Sequence, residues 1–392
     1  MSAAQVLNNA AYGRTSAWPD SNTRPDLQTL RGRFLRRLHL SLIYGLWVLG
    51  TLFNAAMWVF SLVCVAQWVW STLIGANEAP IPLAVQVFLS LVALYESYHF
   101  VTRPSHHPWP FMRRLIRYSL LHYPYFRLNA TVFDERERAK QLSQDGATND
   151  TSAFNTEIAS KTIVENDISP FVKPNESAMF AFHPHSVLSN GWVANGANHM
   201  SFEQADCRWL VAENLFGVPL MRDLLNWMDF SSVAKSTFQQ RMSARQNVCL
   251  IPGGFEEATL YERGKHRVYI KKRFGFIKLA LQYGYKVHPV YTFGEEYAYH
   301  TFPYLLKLRL KLNEFKIPGV FFFGLPHCFF LPRTDVDLIT VVGEPLVLPR
   351  IEQPTKEDVQ KYQGQYVEAL QKLFNKYKSV YAVDPQAQLE IY

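Results

Sequence analysis

The sequence predicts an α/β sheet domain carried on an N-terminal hydrophobic helical hairpin, and three observations predict it. A charge-free run of Leu, Val, Trp and Phe extends over residues 40–77. A second, shorter apolar stretch covers residues 81–95, beyond a break at residues 75–82. From Ser177 onward, short apolar runs alternate with helical patterns, the signature of a sheet layered with helices.

Composition agrees with this division of labour. Hydrophobic residues make up 48% and aromatics 15%, too much for an ordinary soluble enzyme and too little for a polytopic transporter, so a soluble domain with a short membrane anchor fits best. The four cysteines, Cys64, Cys207, Cys249 and Cys328, are scattered without CxxC spacing, which argues against a disulfide framework or a zinc ribbon and for a reducing, cytosol-facing location. A net charge of +7 suits anionic lipid or a polyanionic substrate, and no homeodomain, zinc-finger or RNP pattern points to nucleic acid.

Taken in order, residues 1–37 read as a disordered cytosolic tail, polar to residue 28 and then arginine-rich at Arg31, Arg33, Arg36 and Arg37. Residues 38–102 read as a membrane hairpin. The charge-free run, as one straight helix of roughly 1.5 Å per residue, would be about 57 Å long, nearly twice the hydrocarbon core, so it must tilt, break or turn back. Glu96 weakens the second stretch as a span. Arg103, Arg113, Arg114 and Arg117 follow it as the other arginines precede the first, so both ends of the hairpin are expected on the cytosolic side. Residues 103–176 read as a connecting amphipathic segment (118–142) and a polar surface insertion (143–167). Residues 177–392 form the expected catalytic domain, with strands at 178–182, 231–234, 247–251, 286–291 and 338–342 and helices at 208–218, 220–228, 272–283 and 356–377.

Chemistry concentrates where the first of those strands ends, at His183-Pro184-His185-Ser186, because Pro184 and the following Ser189-Asn190-Gly191 stop the strand and leave two imidazoles on its exit loop. Two histidines without a nearby Asp, Glu or Cys make a poor metal set. Nucleophilic catalysis by Ser186 lacks a GxSxG elbow. Histidines satisfied by backbone groups, or one acting as a general base, remain. Pro252-Gly253-Gly254, followed by Glu256 and Glu257, lets backbone approach a ligand closely, although a plain tight turn with solvated glutamates has the same spelling. Lys265, Arg267, Lys271, Lys272, Arg273 and Lys278 form the densest basic cluster, either a solvated face or a seat for phosphates. Residues 302–331 alternate Leu with Lys and Arg before turning almost wholly apolar; such a stripe is either core or an interfacial element.

His183-Pro184-His185-Ser186 resembles the signature of the type-2 diacylglycerol acyltransferase family, which includes monoacylglycerol and wax-alcohol acyltransferases. Residues 251–257 (IPGGFEE), 272–281 (KRFGFIKLAL), 287–295 (VHPVYTFGE) and 341–346 (VVGEPL) are similar to family blocks in family order, as are Pro354, Thr355, Asp358, Tyr362, Tyr366 and Glu368-Ala369-Leu370. The resemblance runs from about Arg113 to the C-terminus and implies a glycerolipid-acyltransferase-like sheet domain. Acyl-CoA and diacylglycerol would be the substrates, with no cofactor and no metal. A phospholipid membrane would be the partner, a homo-oligomer being left open. The implied place is the endoplasmic-reticulum membrane, with lipid droplets as a second site. By the same resemblance His183, His185 and Glu257 are the catalytic candidates, and Ser186, Gly253, Gly254, Lys271, Lys272 and Arg273 the candidates for binding acyl-CoA or its oxyanion. His185, nearer the loop apex, is the first choice as base. No HxxxxD acid is available, because Leu188 and Asn190 occupy those positions, so Glu257 becomes the candidate supporting acid. Animal members end the tetrapeptide in Gly where Ser186 stands here. The competing readings keep the machinery with a monoacylglycerol or long-chain alcohol as acceptor, or keep the fold as a non-catalytic lipid-droplet scaffold.

Overall fold

The computed structural model describes residues 29–75, 80–102, 108–121, 131–134, 172–315, 317–333 and 338–392. Three helices lead: α1 (Leu30–Leu73), α2 (Leu83–Thr102) and α3 (Pro110–Leu121). At 44 residues, α1 is about 66 Å long without a break. It resolves its excess length by dividing its duties. Tyr44 and Val48 are buried in the core of the sheet domain, whereas Leu52, Phe53, Val59, Leu62 and Trp70 further along are exposed. That distal surface is too apolar for water, and α1 and α2 are both long and apolar enough to cross a membrane. Trp58 meets Phe88 edge-on between them, at 5.7 Å. The helices end and begin where local chemistry dictates: Gly75 takes a left-handed φ of 66° past α1, and the Pro82 carbonyl accepts the Val85 N–H at the start of α2.

Glu96 is not a charge left in lipid. It pairs with Arg222 at 3.1 Å, while Tyr95 donates to Asp223 at 2.7 Å, so the second helix is tied at its far end to the sheet domain.

The domain itself is built on strands β1 (Thr131–Phe133), β2 (Ala178–His183), β3 (Arg208–Val211), β4 (Phe230–Ser232), β5 (Val248–Leu250), β7 (Lys286–Phe293), β10 (Ile339–Val342) and β11 (Leu346–Val347). Short pairs form from β6 (His266–Val268) with β12 (Leu389–Ile391), and from β8 (His300–Thr301) with β9 (Phe322–Phe323). Helices α4 (Met200–Gln204), α5 (Met221–Trp227), α6 (Lys235–Ser243), α7 (Gly254–Leu260), α8 (Gly275–Tyr283), α9 (Leu306–Glu314) and α10 (Lys356–Tyr381) complete it. The main sheet runs β1-β10-β7-β2-β5-β3-β4, with β7, β2, β5, β3 and β4 parallel and β10 antiparallel to β7.

Both faces of this sheet are covered, as parallel strands require. Phe180 and Phe182 point to a layer containing Tyr44, Ile116, Trp192 and Leu225. Met179 and Ala181 point the other way, to Phe238 of α6, Ile277 of α8 and Tyr366, Leu370 and Phe374 of α10. Helix α10 starts at a capping box, in which Thr355 Oγ1 accepts the Asp358 N–H and Asp358 accepts the Thr355 N–H, which gives those two residues a structural purpose.

Three sequence expectations need correction. Residues 208–218 are strand β3 followed by a 3₁₀ turn, not a helix, because Trp209 and Leu210 are buried on opposite faces of the sheet between β5 and β4. Residues 131–133 add a strand to the main sheet, so the domain starts inside the segment 103–176. Helix α1 begins at Leu30, within the expected tail. Helices α6 and α7 had no strong sequence signal: α6 is polar apart from the buried pair Phe238 and Met242. The rest of the tail, residues 1–28, and the insertion 143–167 lie outside the described residues.

Candidate active site

Three of the quoted motifs leave the carboxyl ends of neighbouring parallel strands. His183-Pro184-His185-Ser186 ends β2, Pro252-Gly253-Gly254 follows β5 on one side of it, and Gly294-Glu295 follows β7 on the other. Ligands of open parallel sheets bind outside this edge.

Glu257 is the hub. Buried at 1% exposure, its carboxylate accepts the backbone N–H of His185 at 2.6 Å on Oε1 and that of Tyr269 at 2.7 Å on Oε2, and both oxygens lie 3.3 Å from His183 Nδ1. Its location explains the two glycines. A Cβ on Gly253 would fall 2.0 Å from Glu257 Oε2, so only glycine lets the carboxylate fold back over the turn, and Gly254 holds a left-handed φ of 58°.

The two histidines differ sharply. His183 is fully buried and engaged at both nitrogens, Nδ1 with Glu257 and Nε2 with Tyr366 Oη at 3.1 Å. His185 is partly accessible, and its Nδ1 lies 3.0 Å from the Ser186 carbonyl. A carbonyl only accepts, so Nδ1 carries the proton and Nε2 keeps its lone pair. No described residue takes Nε2. Desolvation holds the imidazole pKa below its ordinary 6.5, so His185 is neutral at physiological pH. This is the tautomer and charge state of a general base.

A family profile described as Diacylglycerol acyltransferase matches residues 165–392, more than half of the chain. The chain belongs to the diacylglycerol acyltransferase family. It is 34% identical over 234 residues to diacylglycerol O-acyltransferase 2 of Dictyostelium discoideum, covering 56% of this chain and 71% of that one. It is 31% identical over 260 residues to the mouse (Mus musculus) diacylglycerol O-acyltransferase 2-like protein 6, covering 61% and 76%, and 32% identical over 237 residues to diacylglycerol O-acyltransferase 2 of Xenopus tropicalis, covering 56% and 65%. No solved structure matches.

Within this family frame the remaining candidates separate. Ser186 is buried at 1% exposure with φ at 50°, a conformation that favours glycine, which gives a physical reason for the animal Gly at this position. Its hydroxyl lies beside the buried Glu295 carboxyl. Arg273 pairs with Glu256, donates to the Gly253 carbonyl at 3.0 Å and lies over the Tyr269 ring, contacts that brace the turn. Lys271 and Lys272 are exposed and form no ion pair with a described residue. Glu257 supports His185 through the backbone N–H and not through the ring, an arrangement that spacing alone does not reveal.

Sequence reading missed two residues. Tyr366 was quoted only as part of a family block, yet it closes on His183. Glu295, the last residue of another block, is fully buried and accepts three N–H groups from Asn190 and Gly191. An acidic residue one glycine beyond a largely apolar eight-residue strand was the available signal.

Proposed function

We propose that this chain is an acyl-CoA-dependent acyltransferase that esterifies the free hydroxyl of diacylglycerol to give triacylglycerol, with His185 as general base. The observation that carries the reading is the His185 tautomer, with Nδ1–H spent on the Ser186 carbonyl and Nε2 unclaimed, at the carboxyl edge of the sheet. Family membership and the relatives' names supply the acyl-transfer chemistry.

In this mechanism Nε2 takes the acceptor hydroxyl proton as its oxygen attacks the thioester carbonyl. The tetrahedral intermediate collapses, the C–S bond breaks, and the imidazolium returns the proton to the departing thiolate. Both products leave neutral at the reacting atoms, and no acyl-enzyme forms. A general base of this kind contributes roughly 10²–10⁴ in rate, with orientation and oxyanion stabilisation supplying the remainder. Glu257 and His183 are positioning residues: Glu257 fixes the start of the base loop, and His183 with Tyr366 braces Glu257. Lys271 and Lys272 are the exposed cations suited to the phosphates of CoA.

The membrane placement belongs to the same proposal. Both hairpin ends and the catalytic domain face the cytosol, at the endoplasmic reticulum and at lipid droplets, where acyl-CoA and a water-insoluble acceptor meet. Asn175 is exposed and opens a formal Asn-Glu-Ser sequon, so its glycosylation state reports the side of the membrane. A glycosidase-sensitive, protease-protected domain would overturn this orientation.

The decisive assay uses microsomes with labelled acyl-CoA and separate diacylglycerol, monoacylglycerol and long-chain alcohol acceptors, resolved by product. Wild type should yield triacylglycerol and His185→Ala none at equal protein level. Activity of His185→Ala within a few-fold of wild type would sink the base assignment, and a dominant wax ester or diacylglycerol product would replace the acceptor.

A further inference from the structure

The loop that carries His185 is held at two ends, and the mechanism above uses only one. At its start, the His185 N–H is held by Glu257. At its far end Asn190 donates to Glu295 Oε1 from both its backbone N–H, at 3.0 Å, and its side-chain amide, at 2.9 Å, while the Gly191 N–H donates to Oε2 at 2.7 Å. Between these anchors Ser189 Oγ donates to the His185 carbonyl at 2.9 Å and lies 3.3 Å from the His185 Nδ1, so the far end is linked to the base through Ser189. The fit is tight: a Cβ on Gly191 would fall 2.5 Å from Thr292 of β7.

Asn190 also faces outward from the sheet domain. Its Oδ1 accepts the hydroxyl of Tyr44 at 2.7 Å, and Tyr44 stands on α1, the long apolar helix. All three side chains are buried, with Tyr44 at 2%, Asn190 at 0% and Glu295 at 0% exposure. A buried carboxylate is costly unless its lone pairs are taken, and here three N–H groups of one loop take them. Burial nevertheless pushes the Glu295 carboxyl up to about 7, against the opposing pull of these N–H donors and of the Ser186 hydroxyl.

We propose that Glu295, Asn190 and Tyr44 form a positioning relay that seats the His185 loop only when the first hydrophobic helix is docked on the sheet domain. The relay rests on the assignment of His185 as the base. It makes catalytic geometry a property of the anchored protein: undocking α1 removes the Asn190 partner, and the loop end loses its fixed orientation over Glu295.

The test uses the full chain in proteoliposomes, comparing Tyr44→Phe, Glu295→Gln, their double variant and His185→Ala. Tyr44→Phe removes one hydroxyl and should lower kcat about fivefold, and Glu295→Gln about tenfold or more, with KM for acyl-CoA within about twofold. Because both act on one loop end, the double variant should be no worse than Glu295→Gln alone within about twofold, not the product of the single effects. The acid limb of kcat should also move up toward the ordinary histidine value, since a released loop returns His185 to water; a merely structural loss would reduce the active fraction and leave that limb in place. Multiplying effects, or an unmoved acid limb, would overturn the relay. Normal kcat in both relay variants beside an inactive His185→Ala overturns the relay alone, whereas an active His185→Ala overturns the base assignment and the relay with it.

Discussion

Replacing Glu257 by Gln tests the hub of the site with almost no change of shape. The carboxylate accepts two backbone N–H groups, one on each oxygen, and both of its oxygens face His183 Nδ1. A glutamine amide offers one oxygen and one NH₂. Whichever way it turns, a donor confronts either the His185 N–H or the Tyr269 N–H, and a buried donor without a partner costs about 1–3 kcal/mol. If that cost falls on the base loop, kcat drops roughly 5- to 150-fold. Glu256 provides the internal control. Its pair with Arg273 is about one-third exposed on both sides, and an exposed ion pair is worth about 0.2–1 kcal/mol, so Glu256→Gln should cost at most roughly fivefold. Initial rates with labelled acyl-CoA, normalised to folded membrane protein, give the comparison. Equal and mild effects of the two substitutions would refute the claim that Glu257 fixes the base loop.

Four further outcomes are expected. Ser186→Gly should keep activity within about twofold and raise the thermal midpoint, because glycine adopts φ near 50° without the roughly 1 kcal/mol strain of an L side chain; thermal unfolding followed by fluorescence measures it. The pH profile of kcat should fall on the acid side below pH 6.5, since protonating His185 removes the base and its folded pKa lies under that value. Stability should move in the opposite sense: Glu295 is raised from 4.5 to about 7, so its contribution is full below 4.5 and is lost as pH rises through 7, and the decline in thermal midpoint over that window should shrink in Glu295→Gln. Removing residues 389–392 should lower activity at least tenfold, because β12 pairs with β6 and the Tyr392 carbonyl accepts the N–H groups of Ile270 and Lys271, which directly follow the Tyr269 that grips Glu257; the microsomal assay reads it.

Much of this architecture was legible because its causes are local. Apolar runs bounded by Pro and Gly gave β2, β5, β7 and β10 within a few residues, and the charge-free run gave most of helix α1. Residues 208–211 misled because Arg-Trp-Leu-Val supplies neither helical nor alternating periodicity when both faces are buried. The candidate site was legible as a set of residue types at strand ends, but the contacts of those residues were not. Spacing placed Glu257 near the histidines, whereas only the folded turn shows that its carboxylate holds a backbone N–H and that Gly253 exists to make room for it.

The same limit explains why Asn190 read as a missing acid. At the fifth position after His185 a carboxylate would orient the base in other glycerolipid acyltransferases, and a reader of sequence sees only that Asn stands there. In the folded chain Asn190 joins two distant partners. It binds Glu295, just beyond the neighbouring strand β7, and Tyr44 from the first hydrophobic helix, so a buried acid 105 residues away is tied to the end of the histidine loop. A relation of that length leaves no periodic mark on the chain. Only the parallel order of β7 beside β2 brings the two ends together, and that order follows from burying Phe180 and Phe182 on one face and Met179 and Ala181 on the other.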